Sequence, residues 1–202
     1  LWRHCLDWNS DDRDFMQLCL DLALKAEGDT SPNPMVGAVL VKNKTIIGQG
    51  FHRFAGGPHA EIEAIHNAVK PVAGATMYVS LEPCCCHGKT PPCTEALVHH
   101  KVRKVIVATV DPNPLVAGKG IEFLRRNGIE VEVGLLEQEA KRLNEKFLKF
   151  ITTGMPFCIL KTALSLDGKI ATAQGRSKWI SSPESRADTH VLRRNVDAVL
   201  VG

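Results

Sequence analysis

No stretch of eighteen or more apolar residues occurs in the sequence, which excludes an ordinary membrane-spanning helix. The first residues, Leu1-Trp2-Arg3-His4-Cys5, lack the apolar core of a secretion signal. They also lack an initiator Met, so we expect the sequence to begin inside a longer one. Charge of one sign is missing too. With 25 Lys and Arg against 22 Asp and Glu, the formal net charge is only +3. That balance is too weak to argue for nucleic acid, but it is compatible with small phosphate-bearing substrates. There is no internal repeat and no low-complexity segment. Nor does the cysteine content suit a disulfide framework. The seven cysteines are odd in number, and Cys84, Cys85 and Cys86 are adjacent, which is awkward for ordinary disulfide geometry. Without a secretion signal, this usage points to a reducing cytoplasm, where clustered Cys near His signals metal binding or catalysis.

What is present reads as a layered domain followed by part of another. A length of 202 residues accommodates one good-sized domain, or one and a piece of a second. Ser10-Asp11-Asp12 caps a helix expected from about Asp12 to Ala26, which Gly28 ends. In Ser31-Pro32-Asn33-Pro34 the two prolines are expected to hold the loop extended. Residues 35–41 and 45–50 read as a hairpin around Lys42-Asn43-Lys44. A helix opens at Pro58-His59-Ala60-Glu61 and runs to about Val69. The run 76–81 is a buried strand ended by Pro83, and Pro92 begins a helix to His99. A strand at 102–110, a helix at 121–127, a strand at 129–133 and an amphipathic helix at 136–150 follow. This order, α-β-β-α-β-α-β-α-β-α, implies an α/β domain with helices on both faces of its sheet. A second unit begins near Pro156, with a strand at 157–163, a helix at 183–195 and a strand at 198–201.

The chemistry is carried by His59-Ala60-Glu61, Pro83-Cys84 and Pro92-Cys93. A hydrolytic zinc site needs three protein ligands and an open position for water, and one His with two Cys meets that count. Helix N-termini favour the thiolate form of Cys. Glu61, two residues beyond His59, can reach the attacking water without being a ligand and pass its proton to a leaving amine. Zinc acidifies such a water. His-x-Glu with Pro-Cys is the signature of zinc nucleobase deaminases. The competing reading is a closed structural zinc site, for which Cys85 or Cys86 could supply a fourth ligand.

Eight residues separate Cys84 from Cys93, where cytidine and transfer-RNA adenosine deaminases commonly use Cys-x-x-Cys. The segment from Leu81-Glu82-Pro83-Cys84 to Gly88-Lys89-Thr90-Pro91-Pro92-Cys93 resembles the bifunctional riboflavin-biosynthesis deaminase/reductase family. So do Pro32-Asn33-Pro34-Met35-Val36-Gly37, Asp111-Pro112-Asn113-Pro114-Leu115-Val116-Ala117-Gly118, Leu143-Asn144-Glu145-Lys146-Phe147 and Ser165-Leu166-Asp167-Gly168-Lys169-Ile170-Ala171. The resemblance implies a three-layer α/β/α, cytidine-deaminase-like domain with a mixed sheet at residues 10–152. An incomplete α/β reductase-like segment at 156–202 would follow. It implies hydrolytic removal of the 2-amino group from a diaminopyrimidinone carrying a ribosylamino 5′-phosphate. One zinc ion (Zn2+) would be held by His59, Cys84 and Cys93, with Glu61 as proton shuttle. Asn33, His52 and Lys89 match substrate-binding positions. Asn33 also suits a turn, His52 a supporting role and Lys89 a solvated loop charge. Where relatives carry Ser-His after the first zinc cysteine, this sequence has Cys85-Cys86, with His87 next.

From Lys161-Thr162-Ala163 onward the resemblance is to the start of an NADPH-dependent reductase. Ala163 and Trp179 match cofactor contacts, and Ser177 and Arg193 match substrate contacts. About fifty residues are too few to close a dinucleotide-binding sheet. We therefore expect deamination but no NADPH-dependent reduction from this chain, and read it as a piece of the full bifunctional protein. The expected partner is a small phosphorylated pyrimidine, with no nucleic acid and no membrane. Relatives assemble, so the resemblance implies a homo-oligomer. A transfer-RNA deaminase would call for Cys-x-x-Cys and a dense basic patch. A non-catalytic zinc module would fold normally yet release no ammonia.

Overall fold

Alternation of apolar side chains along short strands decides the architecture, because successive residues of a strand face opposite sides of a sheet. The computed structural model describes residues 8–86, 91–114 and 116–201. They divide into two compact units, the first ending at Met155 and the second beginning at Pro156. In the first unit, β1 (Gly37–Lys42), β2 (Thr45–Phe51), β3 (Thr76–Val79), β4 (Lys104–Val107) and β5 (Glu130–Val133) form a sheet in the order β2-β1-β3-β4-β5. β1 is antiparallel to both β2 and β3, whereas β3, β4 and β5 run parallel, so the sheet is mixed.

Ala38, Leu40, Met77, Val79, Val105, Val107 and Val131 point to one face. There they pack against α2 (Ala60–His66), α3 (Cys93–His99) and α4 (Lys119–Arg126) through Ala60, Ala64, Leu97, Ile121 and Leu124. The intervening residues Val39, Val41, Tyr78 and Ile106 point the other way. They meet α1 (Ser10–Leu24) and α5 (Glu137–Leu143) through Met16, Cys19, Leu20 and Ala140. The result is a three-layer α/β/α domain. α1 starts at a reciprocal capping box, in which the Asn9 side chain takes the Asp12 N–H and Asp12 takes that of Asn9. Tyr78 donates from beneath the helix to the Asp12 carboxylate.

Three expectations are corrected. The single helix at 136–150 is two, α5 and α6 (Glu145–Thr153), parted at Asn144. Asn144 leaves helical geometry (φ −107°, ψ 22°) because its buried amide is committed elsewhere. It accepts from Met35 N and donates to Met35 O, each at 2.8 Å. The Ser31–Asn33 segment is a turn, closed by Asn33 N donating to Thr30 O at 2.8 Å, rather than an extended loop.

The third correction concerns the second unit, whose regular element is α7 (Pro183–Arg194), N-capped by Ser182. The strands expected at 157–163 and 198–201 do not form among the described residues. An apolar run becomes a strand only beside a ladder partner that takes up its N–H and C=O groups. Here Leu160 and Leu200 stand exposed, at 90% and 99%.

Candidate metal centre

Both faces of the sheet are closed by close approach, and this fixes where the ligands emerge. A Cβ at Gly50 would lie 2.5 Å from Ala64 N, so β2 and α2 touch backbone to backbone. His59 is the residue that caps α2, Cys93 opens α3, and Cys84 lies in the segment leaving β3. One donor atom from each of the three falls within 4.8 Å of the others. His59 Nδ1 lies 3.2 Å from Cys93 Sγ and 3.4 Å from Cys84 Sγ. Two zinc bonds of ordinary length meeting at a tetrahedral angle place N and S about 3.5 Å apart. The spacing and the soft sulfur-rich donor set therefore fit one zinc ion. Among the described residues neither Cys85 nor Cys86 joins the cluster, so three protein ligands leave a fourth direction open.

The three donors share protons. The Cys84 thiol is pulled down to about 4, chiefly by the Cys93 thiol hydrogen bond, with His59 and the Cys93 N–H adding to it against burial. Cys93 is correspondingly pushed well up by its bond to Cys84 and by burial. His59 is raised by its hydrogen bond to Cys84. A set that holds a thiolate beside a proton is one in which a divalent cation can replace that proton. Glu61, at 3% exposure, is pushed up to about 7, first by burial and then by the Cys84 charge, and its carboxyl reaches the Cys93 thiol.

Asn33 and His52 are brought to the same place. The His52 ring lies edge-on to the His59 ring, centroids 5.4 Å apart. His52 Nδ1 is 2.9 Å from Pro58 O, which can only accept, so Nδ1 carries the proton. Nε2 then accepts from Asn33 Nδ2 at 3.1 Å, and burial lowers the His52 pKa, the direction that favours the neutral ring. Lys89, like His87, lies outside the described residues. In the second unit Ala163, Ser177, Trp179 and Arg193 line one cavity of about 400 Å³ with Lys161 and Arg186. The Arg186 guanidinium lies 4.3 Å from the Trp179 ring centroid.

Some anchoring residues went unassigned by the sequence reasoning. Glu82 is buried at 4% and accepts four backbone N–H groups. Gly118 and Gly120 donate at 2.9 Å, and Asp111 and Ile121 at 3.2 Å. The residue two before Cys84 is thus bolted to the start of α4 and to the 111–118 segment. A Cβ at Gly120 would meet Pro83 O at 2.2 Å, so only glycine admits this approach. Thr94 holds Cys84 O through its hydroxyl and its N–H, each at 3.2 Å. Asn144 holds the loop that carries Asn33. Both Glu82 and Asn144 lie inside the motifs quoted above, which was the available signal.

Three convergent metal donors, a buried carboxyl beside them and a mixed α/β/α scaffold define a nucleobase-deaminase type of site. Residues 9–109 match the cytidine and deoxycytidylate deaminase zinc-binding region, and the chain belongs to that family. Residues 156–202 match the RibD C-terminal domain. Over 191 residues the chain is 54% identical to riboflavin biosynthesis protein RibD of Aquifex aeolicus, covering 95% of this chain and 54% of that protein. A solved diaminohydroxyphosphoribosylaminopyrimidine deaminase/5-amino-6-(5-phosphoribosylamino)uracil reductase from Thermotoga maritima is 47% identical, with a TM-score of 0.85. The match covers 90% of this chain and 52% of that one. Acinetobacter baumannii RibD is 51% identical, with a TM-score of 0.87, over 92% of this chain and 52% of that one. The chain thus spans about half the length of the curated relatives it matches. No helix among the described residues is long and apolar enough to cross a membrane.

Proposed function

We propose that this chain is a zinc-dependent deaminase of the riboflavin pathway. Its substrate would be a diaminopyrimidinone carrying a ribosylamino 5′-phosphate, and its products 5-amino-6-(5-phosphoribosylamino)uracil and ammonia. The observation that carries the reading is the convergence of His59, Cys84 and Cys93 on one point, with Glu61 buried beside them. When bound, zinc would hold and acidify the attacking water. Glu61 accepts a proton from that water as its oxygen bonds to the ring carbon. It returns the proton to the exocyclic nitrogen as the C–N bond breaks, so that ammonia leaves. Glu61 suits this exchange because its environment holds its proton affinity near neutrality. Asn33, oriented by His52, and Lys89 bind the substrate in this proposal.

The proposed deaminase domain spans residues 10–152, and residues 156–202 open a reductase-type unit. In that unit Ala163 and Trp179 are proposed as cofactor contacts, and Ser177 and Arg193 as substrate contacts. NADPH use belongs to a complete unit of that type. A homo-oligomer is part of the same proposal. The test is ammonia release from the diaminopyrimidinone phosphate measured beside cytidine. Turnover of the former alone supports the assignment, and turnover of cytidine instead, or of neither, refutes it.

A further inference from the structure

Two thiols next to the metal centre take no part in it. Cys85 is half-buried and Cys86 exposed, neither is in a disulfide, and their sulfur atoms lie 3.8 Å apart. Oxidation of the pair to a disulfide is unfavourable for a geometric reason. Disulfide-linked residues usually place their Cα atoms about 4.4–6.8 Å apart, whereas neighbours across a trans peptide are fixed at about 3.8 Å. The peptide joining Cys85 to Cys86 is not among the cis bonds of the chain. Chelation has no such obstacle. Two bonds of about 2.3 Å meeting at a tetrahedral angle hold their sulfur atoms about 3.8 Å apart. The two side chains already present that bite, and paired thiolates select soft centres over hard ones.

We propose that Cys85 and Cys86 form a second, two-thiolate site that chelates one soft centre, a thiophilic d10 ion or trivalent arsenic, beside the zinc position. The site is separate from the zinc ligands, since neither sulfur belongs to the His59–Cys84–Cys93 cluster. It is coupled to them covalently, since one peptide bond joins Cys85 to Cys84. An occupant therefore restrains the segment that carries a zinc ligand and slows deamination. That last consequence rests on the deaminase reading, whereas the binding does not.

Phenylarsine oxide is the probe. Two S–H bonds break, two As–S bonds form and the oxygen leaves as water; arsenic stays trivalent, so no oxidant is consumed. The zinc-loaded chain is treated in excess 2-mercaptoethanol, which strips single-thiol adducts, and its native mass and zinc content are measured. We expect one phenylarsenic group per chain with zinc retained, and loss of that adduct in Cys85→Ser and in Cys86→Ser, both still holding zinc. The site is overturned if no adduct forms, if the double Ser variant keeps it, or if zinc is expelled one for one, which would mean that Cys84 and Cys93 were the thiols. An adduct that leaves ammonia release unchanged overturns the coupling alone. A zinc-loaded chain that releases no ammonia before treatment fails the deaminase reading, while the mass result still decides the site.

Discussion

The two units of this chain organise their candidate sites by opposite means. In the first, the candidate metal donors stand on a sheet covered on both faces, and side-chain-to-backbone hydrogen bonds fasten the segments around them: Glu82 to the start of α4, Thr94 to Cys84, Asn144 to Met35. In the second, no described residue is buried, and the cavity holding Ala163, Ser177, Trp179 and Arg193 is walled largely by exposed side chains. A site gains precision from groups that cannot move without losing packing or hydrogen bonds. By that measure the first unit holds its candidate site more firmly than the second holds its cavity.

The sharpest test of that contrast is Glu61→Gln, which keeps shape and burial but removes the proton carrier. Turnover should fall by about 10²–10⁴-fold while zinc content is unchanged, as read by ammonia release and metal analysis. Loss of zinc instead would make Glu61 a structural support. Next is packing. Leu124→Ala, in the sealed core beneath α4, should cost about 2–5 kcal/mol in denaturant unfolding followed by a first-unit probe. Smaller is Glu82→Gln, which halves the acceptor capacity for four buried N–H groups and should cost about 1–3 kcal/mol. It should also weaken zinc retention against a chelator, because Glu82 positions Cys84. The smallest effect belongs to the second unit, where Leu160→Ala should change stability by no more than about 0.5 kcal/mol. A large loss there would break the contrast.

How much of this was legible in the sequence follows from the range of each force. The alternation in Val39-Leu40-Val41 and Met77-Tyr78-Val79 is local, so strands and their two faces could be read directly. The three candidate donors stood out because they are chemically distinctive, His59 and Cys93 at helix starts and Cys84 just after a strand. The break at Asn144 was not, since its cause is Met35, more than a hundred positions away. The same holds for Glu82, whose partners lie in the 111–118 segment and at the start of α4. The strands expected after Pro156 have the right composition, but composition does not provide the neighbour that a ladder requires.

The central claim is that zinc at His59, Cys84 and Cys93 makes this chain a deaminase. It is tested most directly by measuring ammonia release from the diaminopyrimidinone phosphate in the zinc-loaded chain, after chelation, and after one equivalent of zinc is returned. The account predicts release that disappears with the metal and returns with it. Release that survives complete zinc removal, or its absence in the loaded chain, would contradict the account.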